Sequence, residues 1–165
     1  MVKLATLGAV GVAMLLGSAG VYAHPPSVLT LEVSAVIHEQ VGPAPRCATN
    51  FGGTIMGYGS SALLGHVAII STDCITPVGP LFNFSDGKLI LMTTRGDQIY
   101  ANYSGQFVPT GEGTKYVLSG ATFQITGGTG KFSRASGGGT LSGGEDMATT
   151  LGTMSMSGSI RLNDR

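Results

Sequence analysis

The 165-residue chain carries nine Lys/Arg against nine Asp/Glu, a balance that excludes the basic surface needed to displace counterions from nucleic acid. No charge run marks a membrane-surface patch, and 42% apolar content is enough for one buried core. Twenty-seven glycines speak for tight turns and against long helices.

In chain order, Met1-Val2-Lys3 is followed by the uncharged run "LATLGAVGVAMLLGSAG". A basic start, an apolar stretch and small residues before a cut site are the parts of a secretory signal peptide. Val21 and Ala23 stand at the −3 and −1 positions of a cut before His24. A helix anchor is the competing reading, because the run is nearly long enough to span a bilayer. The small-residue end "GSAGVYA" and the lack of a basic stop favour cleavage. The expectation is a signal peptide over 1–23, then a single domain over 24–165 that is secreted or periplasmic and has no stable membrane insertion. Loss of Lys3 leaves the remainder one charge negative.

Beyond residue 23 no segment shows apolar residues at i, i+3 and i+4 over three turns. Short β-branched, aromatic and aliphatic runs instead alternate with Gly, Pro, Asn and Asp. Eight strands are predicted: 28–38, 50–59, 63–73, 87–94, 98–108, 115–125, 138–142 and 151–162. "GYGSS", "TRGDQ" and "PTGEGT" are short enough to close antiparallel hairpins. "CITPVGPLFNFSD" is longer, holds two prolines and is expected to be a loop or a broken edge. In "TMSMSGSI", Met154, Met156 and Ile160 oppose Thr153, Ser155 and Ser157. Cys47 and Cys74 are the two cysteines, and in an exported chain an even count is first a disulfide. A Cys nucleophile paired with a His is the alternative, which nothing local supports.

Eight short antiparallel strands suit an all-β, up-and-down barrel, with a two-sheet sandwich as the other packing. An outer-membrane barrel would need long strands and aromatic girdles. The chain has no Trp, ends "RLNDR", and its run at 138–142 looks too short to span.

The segment "ITGGTGKFSRASGGGTLSGG" invites a nucleotide reading. A Walker loop fails, because Phe132 follows Gly130-Lys131 and Ile125 stands where the first glycine belongs. The dinucleotide fingerprint loses its third glycine to Ser133, and no helix follows to hold phosphate. Here the chain resembles the plant allene oxide cyclases and, more distantly, the dirigent proteins. "GDQIYANYSGQF" and "FQITGGTGKFSRASGGGTLSG" are similar to their late strands, which share a G-D…G pattern and then I-T-G-G-[ST]-G-x-F-x-x-A-x-G. The match covers roughly residues 96–160. The chain also resembles small exported bacterial proteins of the same barrel type. The resemblance implies an allene oxide cyclase-like barrel in which Gly127, Gly128 and Gly130 make a sharp turn and Phe132 plugs one end. Ala135 and Gly137 would start the next strand. Allene oxide cyclases close an unsaturated fatty-acid epoxide inside an apolar barrel, and dirigent proteins steer phenoxy-radical coupling with lumen acids. Glu32 is a candidate for such an acid, although its alternating strand turns it to solvent.

Other residues carry less. Arg95-Gly96-Asp97 is a hairpin turn rather than an adhesion signal. The sequons at Asn83 and Asn102 matter only in a eukaryotic secretory route, and the second lies mid-strand. His24, His38 and His66 with Met147, Met154 or Met156 could ligate copper, but they are scattered, so no metal and no cofactor is expected. Glu145-Asp146 falls in a glycine-rich turn and is expected to be solvated. No catalytic constellation emerges. The reading is an exported barrel that binds a small apolar molecule in a lumen lined by Met92, Tyr103, Phe123 and Met154, or acts as an interaction module. An isomerase or cyclase using that lumen, or a packed structural surface protein, are the alternatives. Exposed β surface and the resemblance leave a homodimer or homotrimer open.

Overall fold

The computed structural model describes residues 27–162. The predicted signal peptide and His24 lie outside the described residues. Eight strands form one closed antiparallel barrel in sequence order. They are β1 (Ser27–Pro43), β2 (Phe51–Ser61), β3 (Gly65–Val78), β4 (Leu81–Thr93), β5 (Gln98–Pro109), β6 (Lys115–Gly128), β7 (Ser136–Asp146) and β8 (Leu151–Leu162). β1 closes the ring against β8, from Ser27 opposite Leu162 to His38 opposite Leu151. Closure leaves no unpaired sheet edge, which suits a chain made almost wholly of strands.

Period-two patterning builds the interior. Along β1, Leu31, Val33, Ala35, Ile37 and Glu39 are buried while Glu32, Ser34, Val36 and His38 are exposed. Glu32 therefore faces solvent. On β8, Met154, Met156 and Ile160 point inward, and Thr153 and Ser157 face out. One end of the barrel is sealed. Phe132, in a short 3-10 turn over Gly130–Phe132, is 1% exposed, and Leu31, Ile99 and Ile160 are each at 1% or less.

Two predicted elements are corrected. "CITPVGPLFNFSD" is no loop: β3 runs to Val78, Gly79-Pro80 forms a two-residue turn, and Leu81–Ser85 pair back against Val78–Cys74. Its prolines hid it, since Pro77 lies on an exposed arm beyond the barrel wall rather than in a central ladder. Bulges between Thr72 and Cys74 and between Phe84 and Gly87 bend this hairpin, and Phe84 is buried over the lumen. The run at 138–142 is part of an 11-residue strand, β7. Its glycines mask it because their backbones, not side chains, make the fit: a Cβ on Gly139 would lie 2.1 Å from the Ser157 carbonyl oxygen. Gly127 and Gly128 also belong to a strand, the end of β6, and the turn starts only at Thr129.

The disulfide forms between Cys47 and Cys74. It fastens the 44–50 connection to β3, where Thr49 Oγ1 also donates to the Ile75 carbonyl at 2.8 Å. Among the described residues no helix is long and apolar enough to cross a membrane.

Candidate functional site

The lumen is not uniformly apolar. At the end carrying the disulfide, three carboxyl side chains point inward from three strands: Glu39 on β1, Asp73 on β3 and Glu145 on β7. They are only 2%, 2% and 5% exposed. Charged groups are almost never this buried unless paired. Every described Lys, Arg and His is exposed, so no cation sits among them.

Asp73 is the best-held of the three. Tyr103 on β5 donates its hydroxyl to Asp73 Oδ2 at 2.9 Å, and the backbone N–H of Gly53 donates to Oδ1 at 3.1 Å. Burial still raises its pKa, and these two donors and the Arg46 charge oppose that rise. Glu39 and Glu145 lie close enough for each carboxyl to act on the other's protonation, and neighbouring carboxylates resist being ionised together. Burial first, and then the charge of Glu145, push Glu39 up to about 9. Burial also raises Glu145. Glu39 therefore keeps its proton at neutral pH. Even so, Glu39 Oε1 and Glu145 Oε2 are buried without a hydrogen-bond partner, an arrangement that costs about 1–3 kcal/mol per group. Burial and the neighbouring Asp73 charge keep the Tyr103 phenol well above its ordinary value, in its donor form.

Two absent side chains make the room. A Cβ on Gly53 would lie 2.1 Å from Glu39 Oε1 and 3.0 Å from Asp73 Oδ1. A Cβ on Gly87 would meet the Tyr103 ring at 2.5 Å. Gly53→Ala is expected to destabilise the barrel by about 1–3 kcal/mol through overpacking. In a Glu39→Ala background most of that loss should vanish in a thermal-unfolding double-mutant cycle. Strictly additive losses would mean that Gly53 serves something other than the carboxyl cluster.

Above the acids lies a cup of about 110 Å³ with Glu39 and Asp73 in its floor. Its walls are Phe51, Ile75, Phe82, Phe84 and Phe107, and Val41 and Met147 form the rim. Phe84 packs against Phe107 with ring centroids 5.4 Å apart and against Tyr103 at 5.8 Å. Below the acids a space of about 30 Å³ borders Ser71, Asp73 and Tyr103.

Of the four predicted lumen residues, Tyr103, Phe123 and Met154 are buried inside at 8%, 4% and 6%. Met92 is not among them. Leu89, Leu91 and Thr93 take the inward positions of β4, so Met92 falls on the outer face, half-buried. Glu145 is likewise no turn residue: it is the inward end of β7, while Asp146 accepts from Thr114 and the Ala148 N–H at the surface. Glu39 and Asp73 are site residues that the sequence reasoning misses. The available signal is Glu39 on the apolar parity of "LTLEVSAVIHE", five alternations from Leu29. No protein-family model matches the chain, and no curated protein matches it significantly.

Proposed function

We propose that this protein is an exported barrel of the allene oxide cyclase-like type that binds a small, mostly apolar molecule in the cup at the disulfide end. The observation that carries the reading is a 110 Å³ aromatic-walled cup with the side chains of Glu39 and Asp73 in its lining, a mostly apolar hollow beside a few polar groups, as ligand sites usually are. The space is well under the ~300–1,000 Å³ of drug-sized pockets. The ligand would seat one end in the cup and project the rest past Val41, which is 47% exposed. The disulfide supports an oxidising compartment. Lys88, Asn102 and Gln124 form an exposed polar row across the outside of β4–β6, where a lipid-facing barrel would carry an apolar band.

Native mass spectrometry of the purified exported protein, with organic extraction, tests the proposal. A small-molecule mass is expected in the wild type and not in Val41→Trp, whose indole would fill the cup. An apo mass for both, with no thermal shift from short-chain alcohols that Val41→Trp abolishes, would sink the reading.

A second reading, an interaction module that forms a homodimer or homotrimer, is favoured by a different observation. Val36, Met56, Tyr58, Ile70 and Leu151 make an exposed apolar face on β1–β3 and β8, from 44% to 73% exposed. A surface groove of about 580 Å³ runs through it, and a contiguous exposed apolar face is the kind of surface that marks an interaction site. The same spectra report the oligomer. An isomerase or cyclase reading would use protonated Glu39 as an acid, and loss of turnover in Glu39→Gln would favour it.

A further inference from the structure

We infer that the ligand of the cup is an organic cation, an alkyl- or arylammonium group seated between the carboxyls of Glu39 and Asp73 and the rings of Phe51, Phe82, Phe84 and Phe107. The inference rests on the cup being a ligand site and adds the chemical class of its occupant.

Three observations converge. First, the described lumen is acidic without compensation: three buried carboxyls face one another and no described Lys, Arg or His is buried. An anionic ligand would be repelled, and a hydrocarbon would leave the buried Glu39 oxygen without a partner in a low-dielectric site. Secondly, Glu39 Oε1 lies buried with no partner in a side chain that lines the cup floor. An ionised carboxylate only accepts hydrogen bonds, so it wants a donor. A hydroxyl supplies one, whereas a primary ammonium supplies three together with a positive charge. Thirdly, four phenylalanines wall the cup, and a ring face is electronegative and attracts a cation within about 6 Å. A bare metal ion suits the cup badly. Among the described residues no three side chains are placed to hold one, and phenyl walls cannot replace a hydration shell.

The acid cluster also sets how binding responds to pH. The groups facing Glu39 are Asp73 from β3, Tyr103 from β5 and Glu145 from β7. His38 acts on Glu145 from the outer face of β1, and Arg46 acts on Asp73 from the 44–50 connection. Glu39 holds a proton that an entering ammonium displaces, so cation binding is linked to release of that proton. Below the raised Glu39 value, affinity should rise with pH by up to about tenfold per unit.

Isothermal titration of the purified protein with n-hexylamine, 1-hexanol and hexanoate at pH 6 and pH 8 decides the matter. Their chains are alike and their heads differ. Hexylamine is expected to bind at pH 8 at least about tenfold tighter than hexanol, with hexanoate silent and with proton release visible in buffers of different ionisation enthalpy. Glu39→Gln should weaken hexylamine and spare hexanol; if that variant does not fold, Glu145→Gln serves, because it removes the neighbouring carboxyl that acts on Glu39. Val41→Trp should block both. Equal binding of amine and alcohol, unmoved by Glu39→Gln, overturns the cation inference and leaves the cup as an apolar site. Preferred binding of hexanoate overturns it too. No binding of any probe, or binding that Val41→Trp leaves intact, overturns the cup itself.

Discussion

Urea denaturation of the wild type at pH 5, 7 and 9 is expected to show a barrel that loses stability as pH rises, and Glu39→Gln should remove most of that loss. The sign follows from the proton count. Glu39 releases its proton near 4.5 in the unfolded chain and at about 9 in the folded one. Between those values the native state holds a proton that the unfolded chain has already shed. The stability it contributes is complete below the unfolded value and disappears as pH rises through the folded one. One such group gives a slope of up to about 1.4 kcal/mol per pH unit, the opposite of acid denaturation. Burial raises Asp73 and Glu145 as well, so the wild-type slope is at least as steep. Gln at position 39 keeps a neutral donor for Glu145 and cannot ionise. Parallel slopes for the two proteins, or a wild type most stable at pH 9, would show that the cluster is not held as the geometry implies.

Why a fold would keep such a cluster is a functional question. Three buried carboxyls with no cation among them, two of them with an oxygen lacking a partner, are a standing destabilisation, and apolar replacements of similar volume would remove it. Glycine at position 53 makes room for two of the carboxyls, so the local backbone is shaped to hold them. A local arrangement that weakens the fold while the strands around it strengthen it is what a binding or reacting site leaves behind.

The barrel was legible because its strands announce themselves through parity and turns. In "LTLEVSAVIHEQ" the alternation runs unbroken, and "TRGDQ" closes a hairpin with Gly96 at φ +84°. Legibility failed where backbone geometry replaced side-chain pattern. Gly137, Gly138 and Gly139 have no side chains to alternate, yet all three are paired on both sides. The sequence points Met92 into the lumen because both parities of "GKLILMTT" are apolar, and only the register of Leu91 opposite Ile99 decides which one faces in. The site was less legible still. Glu39, Asp73 and Glu145 are far apart in sequence, and each by itself looks like a strand-end acid turned to water. What joins them is barrel closure, which brings β7 round to β1 by way of β8, and no local spacing encodes that.

Removing the disulfide with Cys47→Ser and Cys74→Ser is expected to lower stability by about 3–4 kcal/mol, the loop-entropy value for a separation of 27 residues. For a domain of this size that is a fall in Tm of about 10 °C. Most of the effect should arise in the unfolded chain, because in the native state the 44–50 connection has other fastenings. Ala44 N–H donates to Asn50 O at 3.0 Å, Asn50 N–H to Cys47 O at 2.9 Å, and Thr49 reaches Ile75. The local consequence is more telling. Cys74 follows Asp73 directly, and the bridge fixes the stretch of β3 that presents that carboxyl beside the Gly53 N–H. Its loss should therefore loosen the cup floor before the barrel opens. Amide hydrogen exchange would then quicken at Gly53 and around Asp73, while the sealed end around Leu31 and Ile160 keeps its protection. Faster exchange spread evenly over all eight strands would mean that the bridge supports the whole barrel and not this end of it.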